Sequence, residues 1–116
     1  MIVKAKIKVS VYETEVQLLV VESMDDFQSL LEKRGILIPD VSACDGITLG
    51  YENMYHIVFI KDRLSHNLLA HEIFHLTHMI TKDIDINDEE SQAWLNGYLT
   101  EQVYKILNKK NITRKL

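Results

Sequence analysis

A chain of 116 residues, 47% of them hydrophobic, is long enough to bury one modest core without disulfide support, so a single domain is expected. A formal charge of -4 and a pI near 5.7 argue against a surface for nucleic acid or anionic lipid, each of which recruits clustered Lys and Arg. One cysteine, Cys44, excludes an internal disulfide and a thiolate metal cluster, and stretches such as Leu18 to Val21 fall far short of the roughly 20 apolar residues that span a bilayer.

The N-terminal residues alternate apolar and polar from Ile2 to Val11, unlike a secretory leader, so the cytoplasm is the expected compartment. Ile2, Val3, Ala5, Ile7 and Val9, then Val16, Leu18, Leu19 and Val20, make two largely alternating runs separated by Tyr12-Glu13-Thr14-Glu15. That pattern predicts an antiparallel hairpin. Ser23 and Asp25 supply N-cap chemistry for a helix from about Asp25 to Lys33, with Gly35 as its stop. After a loop from Pro39 to Gly46, the β-rich runs 47–51 and 54–60 flank a tight turn at Glu52-Asn53, predicting a second hairpin.

A long helix is predicted from the region 62–65 to about Thr81, since neither Gly nor Pro interrupts it. Asp83 to Asp88 reads as a connection, and Asn87 or Asp88 can cap a last helix reaching roughly Leu107. Lys109, Lys110, Arg114 and Lys115 belong to a tail, 108–116, expected to be solvated.

Chemistry concentrates in His71-Glu72-Ile73-Phe74-His75. Residues four apart on a helix lie about 40° apart around its axis and one turn apart along it, so two imidazoles can converge on one ion. Zinc accepts neutral imidazole at about 2.0 to 2.1 Å, and a catalytic site leaves one position to water. Glu72 stands beside that face, placed to take a proton from the water. Leu69, Ile73, Leu76 and Ile80 form an apolar stripe away from the histidines, which therefore need not serve as core filler. Leu64, Leu68 and Met79 lie on the histidine face, so the helix is apolar on two sides. His78 continues the same face, but seven residues of helix put it about 10 Å from His71, too far to share one ion.

A third ligand then has to come from elsewhere, and the last helix offers Asp88, Glu89 and Glu90 at its opening turn. Glu90 shares a stripe with Ala93, Trp94, Gly97 and Glu101, whereas Glu89 points about 100° away, toward Asn96 and Thr100. Small residues at 93 and 97 predict close approach to the metal helix, which favours Glu90. Leu95, Leu99, Val103 and Ile106 form a second stripe for the core.

Taken together, Ala70-His-Glu-Ile-Phe-His75 followed by Glu90-Ser-Gln-Ala-Trp-Leu-Asn-Gly-Tyr-Leu99 resembles the glutamate-zincin branch of HExxH zinc metallopeptidases. More narrowly, it is similar to small predicted metallopeptidases of tailed phages and prophages. The resemblance covers roughly 47–107; the hairpin and helix of 1–46 are less diagnostic. It implies a strand, Met54 to Ile60, at the edge of the active cleft and able to pair with an extended substrate. An oxyanion stabiliser stays open among Tyr51, His56, His66 and Tyr98.

The expected fold is α+β, a minimal zincin-like domain of about four mostly antiparallel strands on three helices, the last two carrying the metal. The expected function is zinc-dependent hydrolysis of peptide bonds with His71, His75 and Glu90 as ligands and Glu72 as general base. The alternative is a zincin-like zinc-binding module that engages a protein partner without turnover.

Overall fold

The computed structural model describes residues 2–51, 54–113 and 116, and it is an α+β domain with one four-stranded sheet and three helices. Val3–Val9 (β1) and Thr14–Val21 (β2) form the first antiparallel hairpin, Ile7 opposite Val16. The chain reverses through a 3-10 turn, Ser10–Tyr12, and through Glu13 in the left-handed region at φ 50°. Gly46–Tyr51 (β3) and Met54–Ile60 (β4) form the second. The turn expected at Glu52-Asn53 lies outside the described residues.

Two pairings are thus antiparallel. The third, which joins the hairpins, is parallel: Leu18 of β2 stands opposite Ile57 of β4, and the strand order is β1-β2-β4-β3. Parallel strands are covered on both faces and lose the alternation of a half-solvated strand, which is why 18–21 and 57–60 read as continuous apolar runs.

One face of the sheet is covered by the helix Met24–Lys33 (α1), whose Met24, Phe27 and Leu31 meet Leu19, Val21 and Val58. The other is covered by His66–Asp83 (α2) and Glu89–Lys109 (α3). There Leu69, Ile73, Leu76 and Ile80, with Leu95, Leu99, Val103 and Leu107, enclose Leu18, Val20, Ile57 and Phe59. Ile106, expected in that last stripe, is only partly buried, and Leu107 takes the position. Each helix is capped by a side chain that accepts an otherwise orphaned amide: Ser23 from Asp26, Ser65 from Leu68, Asp88 from Ser91. Hydrogen bonds from the Ser91 side chain and amide hold the Asp88 carboxyl below the usual carboxylate range.

The tail is less solvated than expected. Past α3 the chain folds back, the Ile112 amide bonding the Leu107 carbonyl at 2.9 Å and the Ile112 side chain packing on the core. Arg114 and Lys115 lie outside the described residues. Among the described residues no helix is long and apolar enough to cross a membrane.

Candidate metal centre

The apolar stripe of α2 is buried against the sheet, so the histidine side is turned outward. His71 and His75 bring their Nε2 atoms to 3.1 Å, with ring centroids 4.6 Å apart and planes at 79°. Two ligands on a tetrahedral zinc with bonds of about 2.0 to 2.1 Å stand about 3.3 Å apart. The pair already has that spacing. With one ring protonated at Nε2 the contact is a hydrogen bond; with both nitrogens bare it calls for a cation between them.

Glu72 lies beneath the pair, its side chain 8% exposed and Oε2 3.9 Å from His71 Nε2. Its other oxygen, Oε1, accepts from the Thr48 hydroxyl at 2.9 Å, and the same hydroxyl is 3.0 Å from the Glu72 carbonyl oxygen, so a single hydrogen is shared between them. Thr48 belongs to β3, and β3 can lie this close because position 46 is glycine. A Cβ there would meet Glu72 Cγ, Leu68 Cδ1 and Phe59 Cδ1, each at 3.3 Å. Between β3 and α2 opens a cleft of about 470 Å³, lined by Gly46, Thr48, Glu72, His75 and His78 among others. Neither Gly46 nor Thr48 stands out in the sequence, where one ends a loop and the other is an ordinary strand residue; only the register of β3 against α2 gives them a role.

That arrangement corrects the expectation for Met54 to Ile60. β4 is an inner strand, paired on both sides, and the edge strand beside the histidines is β3. The sequence shows two hairpins but not which of their strands meet.

Glu90 is not brought to the pair. It lines a hollow with Val11, Tyr12, Ser91 and Trp94. Two physical reasons account for this. First, α2 continues from Leu76 to Asp83, eight residues beyond His75, which is about 12 Å of helix. The antiparallel α3 therefore begins level with the far end of α2. Cross-helix contacts fix the alignment: Thr77 Oγ1 donates to Asn96 Oδ1 at 3.1 Å, and His66 Nδ1 meets the Tyr104 hydroxyl at 2.6 Å. Second, the stripe of Ala93 and Gly97 is not packed against α2, although Ala93 lines the groove beside Phe74, Thr77 and His78. Both are exposed, and a Cβ on Gly97 would meet nothing within 4 Å. The face turned to α2 carries Leu95, Asn96 and Leu99, which puts Glu89 in a groove with Phe74, Thr77 and His78.

His78 stacks on Phe74, ring centroids 6.4 Å apart. The four oxyanion candidates all have other partners. Tyr51 and His56 stack on each other at 3.7 Å, Tyr98 donates its hydroxyl to the Lys8 carbonyl at 2.6 Å, and His66 is held by Tyr104. Among the described residues no group of three or more His, Cys, Asp or Glu side chains gathers around a point that could hold a metal. The donors on this face are two imidazoles with an adjacent carboxylate, and a catalytic zinc site ordinarily has three protein ligands.

No family model, no curated protein and no solved structure matches this chain.

Proposed function

We propose that the chain is a zinc-dependent peptidase in which His71 and His75 hold the ion and Glu72 is the general base. The observation that carries this reading is the 3.1 Å approach of the two Nε2 atoms directly above a buried carboxylate. When bound, zinc supplies a polarised carbonyl and a water acidic enough to be deprotonated near neutral pH. The rest falls to the chain's own residues. Glu72, with Oε1 anchored by Thr48, keeps Oε2 toward the histidines, where it can take a proton and later hand it to the leaving amine. The outer edge of β3 offers unpaired backbone groups to an extended peptide laid along the cleft. We place the reaction in the cytoplasm, a compartment that keeps a thiol such as that of Cys44 reduced.

A second reading is a zinc-binding module that engages a protein partner without turnover. It is favoured by the absence, among the described residues, of a third ligand beside the pair.

One set of variants separates the two. Wild type purified without a histidine tag is expected to carry zinc by elemental analysis, and His71→Ala and His75→Ala to lose it. Glu72→Ala is expected to keep the metal and to lose cleavage of a broad peptide library. Metal retained with no cleavage by wild type selects the module, and metal absent from wild type overturns both readings.

A further inference from the structure

At the end of the molecule where α3 begins, Tyr12, Glu90 and Trp94 form a corner that the metal chemistry does not use. We propose that this corner binds an organic cation, the ammonium or guanidinium end of a basic side chain in a partner peptide. The proposal does not depend on the metal reading.

Three observations carry it. The aromatic walls are held by neighbouring groups, although Trp94 is exposed and Tyr12 only partly buried. Trp94, half exposed at 50%, stacks on Tyr98 with centroids 5.4 Å apart and planes at 10°, and the Tyr98 hydroxyl is tied to the Lys8 carbonyl at 2.6 Å. Tyr12, at the end of the 3-10 turn, stands at 89° to Trp94 with centroids 6.2 Å apart. The two rings, at right angles, both line one hollow of about 250 Å³, whose remaining walls are Val11, Ser91 and Glu90.

The charge is of one sign. Glu90 makes no ion pair among the described residues, and Asp88 and Glu89 precede it. Their three carboxylates outweigh the partial positive charge at the start of α3, which opposes a cation there. Lys8 does not compete for the site: Ile7 and Val9 point into the α2–α3 core, so strand alternation turns the Lys8 side chain to the other face of the sheet. Aromatic rings beside a carboxylate are the chemistry that receives an ammonium or guanidinium group. An apolar guest alone would leave the carboxylate facing a group that cannot neutralise it.

Trp94 is the only tryptophan in the sequence, so its fluorescence reports on this corner directly. The full chain is titrated with Nα-acetyl-arginine amide and Nα-acetyl-trimethyllysine amide, at constant ionic strength, and with Nα-acetyl-norleucine amide as the neutral control. Saturable changes are expected with one or both cations and none with norleucine. Glu90→Gln, an exposed substitution, is expected to weaken the response roughly three- to tenfold, and Tyr12→Leu similarly, with unchanged far-ultraviolet circular dichroism. Should Tyr12→Leu fail to fold, Glu90→Gln decides alone. An equal response to norleucine, a linear unsaturable quench, or unaltered affinity in Glu90→Gln would each overturn the proposal.

Discussion

Thr48 on the edge strand donates its hydroxyl to the Glu72 carboxylate on α2 at 2.9 Å, tying the outermost strand to the centre of the candidate site. Glu72 is 6% exposed, so its oxygens are largely cut off from water and the bond is not readily replaced. Thr48→Val keeps the shape of the side chain and removes the donor. It is expected to lower stability by about 1 to 3 kcal/mol, the cost of leaving a buried polar group short of a partner, as measured by urea unfolding. Zinc content is expected to stay at the wild-type value, because the histidines do not touch Thr48. An unchanged unfolding midpoint would mean that the bond has no net effect.

Metal removal tests the histidine pair by a different observable. A ligand that binds only the folded chain stabilises it by mass action, about 2.7 kcal/mol at a hundredfold excess over Kd. Chelation is therefore expected to lower the Tm of wild type and of Glu72→Ala, and to leave His71→Ala and His75→Ala unmoved. A chelator-insensitive wild type would count against zinc on this helix.

Local features of the fold were readable from the sequence because their causes are local. Strand alternation gives the first hairpin and two β-rich runs the second, Ser23 and Asp88 announce their helices, and helix spacing turns His71 and His75 to one side. The parallel junction of β2 with β4 was not readable, since alternation within a hairpin carries no information about which strand of the next hairpin it meets. Nor were the partners of Glu72, because Gly46 and Thr48 acquire their roles only from the register of β3 against α2. Glu90 illustrates a third limit. Helix phase says which residues share a face, but not which face packs or how far along the neighbouring helix a residue stands. The Thr77–Asn96 contact brings Asn96 to α2, while Gly97 of the other stripe is exposed.

Glu90 and Glu89 can be told apart by metal content. With Glu90 in the hollow beside Trp94 and Glu89 on the groove beside His78, Glu90→Ala is expected to retain zinc at the wild-type level in elemental analysis and in competition with a chromophoric chelator. A tenfold or greater loss of zinc affinity in Glu90→Ala would return it to the ligand set, and would require the first turn of α3 to approach the histidines on binding. The same loss in Glu89→Ala alone would bring the ligand from the groove side.

The last prediction concerns pH and the far end of α2. The Tyr55 hydroxyl at the start of β4 donates to Asp83 Oδ2 at 2.5 Å, tying the sheet to the last residue of α2. Burial first, and then the hydrogen bond and charge of Asp83, push the phenol up to about 12 from its ordinary 10. The folded chain therefore holds this proton more tightly than the unfolded chain. Below about pH 10 both states keep it, and the stabilisation is fully present. Between about pH 10 and 12 the unfolded chain sheds the proton and the folded chain does not, so unfolding releases a proton and stability falls as pH rises. Tyr55→Phe lacks this proton, while every other tyrosine is common to both proteins and cancels in the comparison. The stability difference between wild type and Tyr55→Phe is expected to be constant from pH 8 to about 10 and to shrink above it, as read from urea midpoints. A difference that stays constant through pH 11 would mean that the Tyr55 phenol titrates alike in the folded and unfolded chains.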